Sequence, residues 1–211
     1  MNEPYKILLN EAIAETELKK SRFIGHTFPV NSEEEAQAFI QDVKKQYYDA
    51  RHNCYAYVIG KDADKVKYAD DGEPAQTGGM PIFNVLKETG VRNACIVVTR
   101  YFGGTLLGAG PLARMYGEAA KLSLEASKIA VMRYGAEFKV ESDYSLGEKV
   151  RRYLEREEIS IIDTYYTDKV TIVARTGFEK FEECRASIIS LTASKAKIEK
   201  LSDAYFVDTS L

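Results

Sequence analysis

The sequence predicts an α+β protein of two domains, residues 1–130 and 131–211, and three observations lead to this prediction. A chain of 211 residues is long enough for two small domains and can bury a core without disulfides. Helical and strand periodicities alternate along both parts without an internal repeat. In the second part they follow the order βαββαβ, which is the ferredoxin-like split motif.

The first domain opens with a basic cluster, Lys19, Lys20 and Arg22. An extended segment is predicted over residues 23–30, and a helix follows that Ser32 and Glu35 cap reciprocally. Residues 52–60 are rich in Tyr, Val and Ile and predict a strand. The polar, glycine-containing stretch 61–79 is interpreted as mostly loop.

The rest of the first domain contains two more helices and the most apolar strand. Pro81 suits the first turn of a short helix, and Gly90 suits its C-terminal stop. The continuous apolar run 94–98 predicts a central strand that is buried on both faces. A glycine-rich turn, 103–110, then leads into a helix near Pro111.

The second domain shows each element of the split motif in turn. Its first helix is predicted to begin with a capping box formed by Ser145 and Glu148. Two of its strands are predicted to meet in a short hairpin at residues 167–168. The predicted elements are a strand near 136–140, a helix near 146–154, strands at 159–166 and 169–176, a helix near 178–191 and a strand at 197–207.

Composition and charge narrow the classes of function. The net charge of −3 excludes nucleic-acid binding by bulk charge, so any such surface must be a local patch. Three scattered cysteines without a CxxC pair indicate reduced, buried thiols rather than a disulfide framework or a zinc site, and we expect neither a metal nor a cofactor. No signal pattern opens the chain, and no apolar run approaches the ~20 residues that span a bilayer. We therefore expect a cytoplasmic protein without a membrane partner.

The glycine-rich turn is the first segment that could carry chemistry. Gly103 and Gly104 allow a close backbone approach, and the following helix start offers free amides to an anion. Arg100 and Arg114 could add positive charge, which would make a phosphate cradle for a nucleotide or a nucleic-acid backbone. The segment matches neither GxGxxG nor GxxxxGK[ST]. The alternative is that the glycines only turn the chain tightly.

The second segment is an acidic loop that contains Asp70, Asp71 and Glu73. Three carboxylates within four positions could hold Mg²⁺, supply a general base or form a recognition loop. The alternative is a solvated acidic turn, because Asp-Gly and Pro are turn residues. His52 and Cys54 lie two positions apart without a recognisable third group, and we assign no catalytic residue.

Basic and aromatic residues form the third candidate. Lys20 and Arg22 lie before the first strand, and Arg100 and Tyr101 follow the buried one. Basic residues interleaved with aromatic ones can clamp phosphates and stack on bases. The alternative is a solvated charged edge beside core aromatics. The candidate set for nucleic-acid or partner binding is Lys20, Arg22, Arg100, Tyr101, Gly103, Gly104 and Arg114.

Taken together, these segments resemble the IMPACT family. The matching stretches occur in the family's order and cover the chain from about Leu18 to Ser127. They are KSRFIG at 20–25, HNCYAY at 52–57, DDGEP at 70–74 and TRYFGGTLLG at 99–108.

The resemblance implies more about fold than the residues do. The family's first domain is similar to the second domain of small-subunit ribosomal protein S-five, a fold also seen in domain IV of elongation factor G. The second domain of bacterial members is similar to domain V of that factor. Both similarities imply an association with RNA or the ribosome, at the level of fold.

The resemblance also implies a function in translation. Eukaryotic members regulate translation initiation through a starvation-responsive kinase and carry an extra N-terminal domain, so we do not transfer that role to this chain. We expect a non-enzymatic binding protein linked to translation or its regulation, which contacts RNA, the ribosome or a translation factor. The alternative is a Mg-dependent enzyme that handles phosphates or nucleotides with the glycine-rich turn.

Overall fold

The structure, a computed structural model, describes residues 2–208, which form two compact units. The first unit is Tyr5–Ala130, and the second combines residues 131–208 with 2–4. None of the helices in this described part is long and apolar enough to cross a membrane. In chain order the elements are β1 (Tyr5–Leu8), β2 (Ala12–Leu18), β3 (Ser21–Pro29), α1 (Glu33–Gln46), β4 (His52–Ile59), β5 (Lys65–Ala69), α2 (Gly79–Thr89), β6 (Val91–Arg92), β7 (Ala94–Tyr101), α3 (Ala109–Glu125), β8 (Ile129–Ser142), α4 (Tyr144–Arg156), β9 (Ser160–Tyr166), β10 (Val170–Gly177), a 3₁₀ turn (Phe178–Lys180), α5 (Phe181–Leu191) and β11 (Lys197–Val207).

A five-stranded sheet in the order β2-β3-β7-β4-β5 forms the centre of the first unit, and all its neighbours are antiparallel. Central strand β7 alternates between two apolar clusters. Ile96 and Val98 pack with residues of α2 and α3, whereas Cys95 and Val97 pack with residues of α1. All four side chains are fully buried, which confirms the prediction of a strand covered on both faces.

The predicted helix boundaries of the first unit are confirmed at two positions. The Ser32 hydroxyl accepts the Glu35 amide at 3.1 Å, and the Glu35 carboxylate accepts the Asn31 amide at 2.8 Å. Gly90 ends α2 in the left-handed conformation, with φ of 72°. These two helix ends could therefore be predicted from the sequence, because the hydrogen bonds and backbone conformation that define them are local.

The prediction of loop over most of residues 61–79 was wrong for β5. This strand lies at the edge of the sheet, where β4 is its one partner in the described part of the chain, and its side chains are largely exposed. Strands β1 and β2 were also not predicted. The Ala- and Glu-rich sequence of β2 has weak intrinsic strand preference, and pairing with β3 over seven residue pairs overrides it.

The second unit is a ferredoxin-like βαββαβ fold, as the sequence predicted. Its antiparallel strands lie in the order β9-β10-β8-β11, and α4 and α5 share one apolar core with them. Phe138, Ile172, Leu154 and Ile188 are fully buried in that core. Successive side chains of β8 and β10 point to opposite faces of the sheet, so their apolar residues line the face that α4 and α5 cover.

The predicted N-cap of α4 was wrong by two residues. Asp143, rather than Ser145, is the N-cap, and its carboxylate accepts the Leu146 amide at 2.8 Å. Asp and Ser are comparable N-cap residues, so the sequence offered two candidate starts close together.

Candidate functional site

The motifs of the first unit converge at one end of its five-stranded sheet, where β3 and β4 begin and β7 ends. We call this end the motif end. In the strand register Arg22 lies opposite Tyr101, and His52 lies opposite Arg100. Antiparallel pairing places the end of one strand beside the start of its neighbours, so motifs that are distant in sequence meet here.

The glycine-rich turn packs against the turn that joins β2 and β3. A Cβ on Gly103 would lie 2.1 Å from the carbonyl carbon of Lys20, and the Gly103 amide donates to the Ser21 hydroxyl at 3.1 Å. Gly104 and Gly108 adopt positive φ values of 86° and 74°. Close approach and backbone conformation therefore account for these three glycines without reference to a ligand.

Asp70 organises the acidic loop from within. Its carboxylate accepts hydrogen bonds from the amides of Gln76, Gly78 and Gly79 at 2.8–2.9 Å. Burial by itself would raise the pKa of Asp70, but these three amides together hold the pKa below its usual value. The ionised carboxylate thus fixes the path of the chain into α2.

The other two carboxylates of the loop also face protein donors. Asp71 accepts the Lys44 ammonium at 2.6 Å and the Asn53 amide at 2.7 Å. Glu73 is almost fully buried and accepts from Arg100 and from the Tyr116 hydroxyl, at 2.7 and 2.8 Å. Residues 2–208 contain no group of three His, Cys, Asp or Glu side chains arranged to hold a metal ion.

The structure places Arg100 in the interior rather than on the surface. Its side chain is 8% exposed, and its guanidinium lies over the Phe23 and Phe102 rings at 5.5 and 5.8 Å. The ion pair with Glu73 joins β7 to the acidic loop. In this arrangement the Arg100 charge is neutralised and is used to hold the motif end together.

Arg22 is exposed but paired. Its guanidinium makes two hydrogen bonds to the Glu15 carboxylate, at 2.6 and 2.9 Å, and it lies 5.8 Å from the Tyr101 ring centre. The Tyr101 hydroxyl donates to Asp49 at 2.7 Å. The hydrogen bond from Arg22 lowers the pKa of Glu15, so both charges are present at neutral pH.

Eight exposed cations of the first unit have no ion pair within residues 2–208. They are Lys6, Lys19, Lys20, Arg51, Lys67, Lys87, Arg114 and Lys128. Lys19 and Lys20 occupy the β2–β3 turn with positive φ values of 49° and 64°, which leaves both side chains at the tip of a tight turn. The half-exposed Phe102 follows β7 directly, beside the glycine that contacts Lys20. Arg114 lies further along, in the second turn of α3.

Cys54 and His52 are held by the backbone of the acidic loop. The Cys54 thiol donates to the Asp70 carbonyl oxygen at 2.9 Å, and His52 Nδ1 lies 2.9 Å from the Asp71 carbonyl oxygen. Burial raises the pKa of Cys54 far above its usual value, so the thiol stays protonated. Neither side chain has the geometry of an activated nucleophile with its base.

Sequence reasoning missed three partners at this site. Lys44 reaches the acidic loop from α1, Tyr116 reaches it from α3, and Glu15 neutralises Arg22 from β2. The register of a β2–β3 hairpin would have placed Glu15 close to Arg22, had β2 been predicted. The contacts of Lys44 and Tyr116 depend on how helices cover the sheet, and no local pattern signals them.

Fold and site together define a two-unit α+β protein whose motif residues bond to one another beside two exposed lysines, Lys19 and Lys20. The chain belongs to the IMPACT family. The model of the Impact N-terminal domain matches residues 19–124, and that of a domain of unknown function (DUF1949) matches residues 140–195.

Known relatives match over different lengths. IMPACT family member YvyE of Bacillus subtilis (strain 168) is 40% identical over 186 residues, which are 87% of this chain and 84% of that protein. YigZ of Escherichia coli (strain K12) is 43% identical over 110 residues, covering 51% and 54%. Protein IMPACT of Oryctolagus cuniculus is 34% identical over 96 residues, covering 43% and 29%.

A solved structure supports the whole fold. The crystal structure of a hypothetical protein superposes with a TM-score of 0.61 at 29% sequence identity. The superposition covers 96% of this chain and 99% of that one. Both units of the present fold therefore occur together in another protein.

Proposed function

We propose that this chain is a non-enzymatic, cytoplasmic binding protein linked to translation, which contacts RNA, the ribosome or a translation factor through the motif end. The geometry favours RNA phosphates as the direct contact. The observation that supports this is the pair Lys19 and Lys20, which are exposed and have no ion pair within residues 2–208. Their turn contacts Gly103, which follows the half-exposed Phe102. Unpaired cations next to an aromatic ring suit a strand of phosphates and bases.

The charge distribution distinguishes this patch from the basic face of α4 in the second unit. In the second unit Arg151, Arg152 and Arg156 each pair with a glutamate on or beside α4, so that helix presents little net positive field. Among the described residues, 2–208, none neutralises the tip of the β2–β3 turn in this way. A local patch is what a chain with a net charge of −3 needs in order to attract a polyanion.

Of the residues predicted to bind, Lys20 would contact RNA directly, together with Lys19 and Phe102. Arg100 and Gly103 hold the turn and the acidic loop in position. Resemblance to the IMPACT family supports the link to translation, because its eukaryotic members regulate initiation. The carboxylates of the acidic loop all accept from protein donors, and this favours a binding protein over the Mg-dependent enzyme.

Co-sedimentation with ribosomes at low and moderate salt tests the proposal. The double variant K19A/K20A should bind more weakly, and its log–log salt slope should fall by about 1.5 because two phosphate contacts are lost. The matched control is K67A/K87A, which removes two exposed lysines without ion pairs from β5 and from the end of α2. Equal loss in both double variants, or none in either, would refute the assignment of the surface.

A thermal-shift screen with nucleotides and Mg²⁺ tests the enzyme alternative directly. A ligand that binds the native state raises the unfolding midpoint. A rise with one nucleotide that depends on Mg²⁺ and is lost in Asp71→Asn would favour the alternative over the present proposal.

A further inference from the structure

The second unit carries a groove that the sequence motifs do not include. It lies between the first turns of α4 and the β9–β10 hairpin, and its cavity volume is about 110 Å³. That volume is below the ~300–1,000 Å³ of sites that enclose a whole small ligand, so the groove suits one flat group of a larger molecule. Its lining includes Tyr144, Gly147, Arg151, Thr164, Tyr166 and Ile172.

Two tyrosine rings face each other across this groove. The ring centres of Tyr144 and Tyr166 are 6.3 Å apart, and their planes differ by 24°. This separation is near the upper end of the ~4.5–7 Å range for aromatic pairs. A third flat ring between them needs roughly 7 Å, twice the 3.4 Å rise between stacked bases. Both side chains are more than half exposed, and a small rotation of Tyr166 can open the gap while Tyr144 keeps its hydrogen bond to Thr167.

The backbone around the groove is fixed. The Tyr144 hydroxyl donates to the Thr167 carbonyl oxygen at 2.5 Å, which ties the start of α4 to the hairpin. A Cβ on Gly147 would lie 3.0 Å from Val170, so glycine allows the helix to approach the strand closely. Val170 is also the register partner of Tyr166. The backbone of the groove is therefore in place before any ligand binds, and the Tyr166 side chain is the part that moves.

The rim of the groove offers both kinds of hydrogen-bonding group. Glu148 and Arg151 line it together, with Arg151 Nε 3.4 Å from a Glu148 carboxylate oxygen. A carboxylate accepts and a guanidinium donates, and the edge of a nucleobase carries both donors and acceptors. Apolar floor, paired ring faces and a polar rim together match a flat heteroaromatic group.

We propose that this groove binds one unstacked base of single-stranded RNA, sandwiched between Tyr144 and Tyr166. The inference rests on the proposed function, because it assumes that RNA reaches the protein. It adds a base-stacking contact in the second unit to the phosphate contacts of the first. Stacking on tyrosine tolerates any base, so the groove selects for exposed bases rather than for a sequence.

The absence of tryptophan from the chain permits a direct optical test. Tyr166→Trp introduces a single tryptophan whose fluorescence should be quenched when a base stacks on it. The variant is titrated with an oligoadenylate RNA and with an abasic ribose-phosphate oligomer of the same length. Tyr165→Trp is the matched control, because Tyr165 is 53% exposed and its neighbouring position on β9 points to the other face of the sheet.

We expect the oligoadenylate to quench the fluorescence of Tyr166→Trp and the abasic oligomer to quench it little. We expect no quenching in the control, Tyr165→Trp. Adding Tyr144→Ala to this variant should weaken its affinity for the oligoadenylate at least about fivefold. That factor corresponds to the lower end of the contribution of one base stacked on an aromatic ring. Tyr144→Phe keeps the ring and should keep most of the binding. This second variant separates lost stacking from a misfolded helix start.

Anisotropy of a labelled RNA, recorded in the same titration, separates the two proposals. Salt-dependent RNA binding without quenching in Tyr166→Trp would overturn the base site and leave the proposed function standing. Equal quenching by the abasic oligomer would also overturn the base site. No binding by anisotropy and no quenching would overturn both.

Discussion

The buried ion pair at the motif end makes a quantitative prediction about stability. Glu73→Ala would leave the Arg100 guanidinium, 8% exposed in its pair, without its counter-charge. Removing one partner of a buried pair costs about 3–5 kcal/mol, because the other charge stays desolvated. The Tyr116 hydroxyl would lose its acceptor as well. A domain is stable by only ~5–15 kcal/mol, so the loss should lower the melting temperature by roughly 10–20 °C.

Urea unfolding followed by circular dichroism measures this loss. The matched control is Glu15→Ala, which removes the same type of partner from Arg22 at the same end of the sheet. Side chains in that pair are 49% and 43% exposed, so its loss should cost only about 0–1 kcal/mol. The double variant Glu73→Gln/Arg100→Met should recover much of the stability. A Glu73→Ala cost within about 1 kcal/mol of the control would refute the burial argument.

Three further predictions concern the turn, the acidic loop and the thiols. Gly103→Ala should destabilise the protein by about 1–3 kcal/mol in urea and weaken ribosome co-sedimentation, because its Cβ has no space. The lowered pKa of Asp70 stabilises the fold above the unfolded pKa, and this contribution is lost as pH falls through the folded pKa. Urea midpoints between about pH 5 and 2 should therefore fall less steeply in Asp70→Asn than in the parent, and equal slopes would contradict this. Cys54, Cys95 and Cys184 are buried, with the pKa of Cys184 raised to about 11 by burial, so a thiol reagent at about pH 8 should label none of them before unfolding.

Local signals in the sequence were sufficient for most of the fold. Alternation along β8 and β10, the apolar run in β7 and the left-handed glycine after α2 each act through nearest neighbours. Strands β2 and β5 were missed because they lie at sheet edges, where one-sided pairing leaves little apolar pattern. Their formation depends on β3 and β4, which lie elsewhere in the sequence.

The candidate site was less predictable than the fold. The sequence singled out segments that the fold brings together, since the basic turn, the acidic loop and the glycine-rich turn meet at one sheet end. It could not distinguish Arg100 from Lys20, because burial and pairing depend on long-range packing. The sequence alone does not indicate whether a charged side chain next to a motif faces solvent or a buried partner such as Glu73.

The close contact between the glycine-rich turn and the β2–β3 turn has a consequence for synthesis of the chain. Ser21 and Gly103, which are hydrogen-bonded, are separated by 82 residues. A nascent chain therefore cannot complete the motif end until β7 and the turn after it have left the ribosome. A surface proposed to contact the translation machinery would then be withheld from it through the first half of translation, and a truncated chain that stops before the turn would never acquire it.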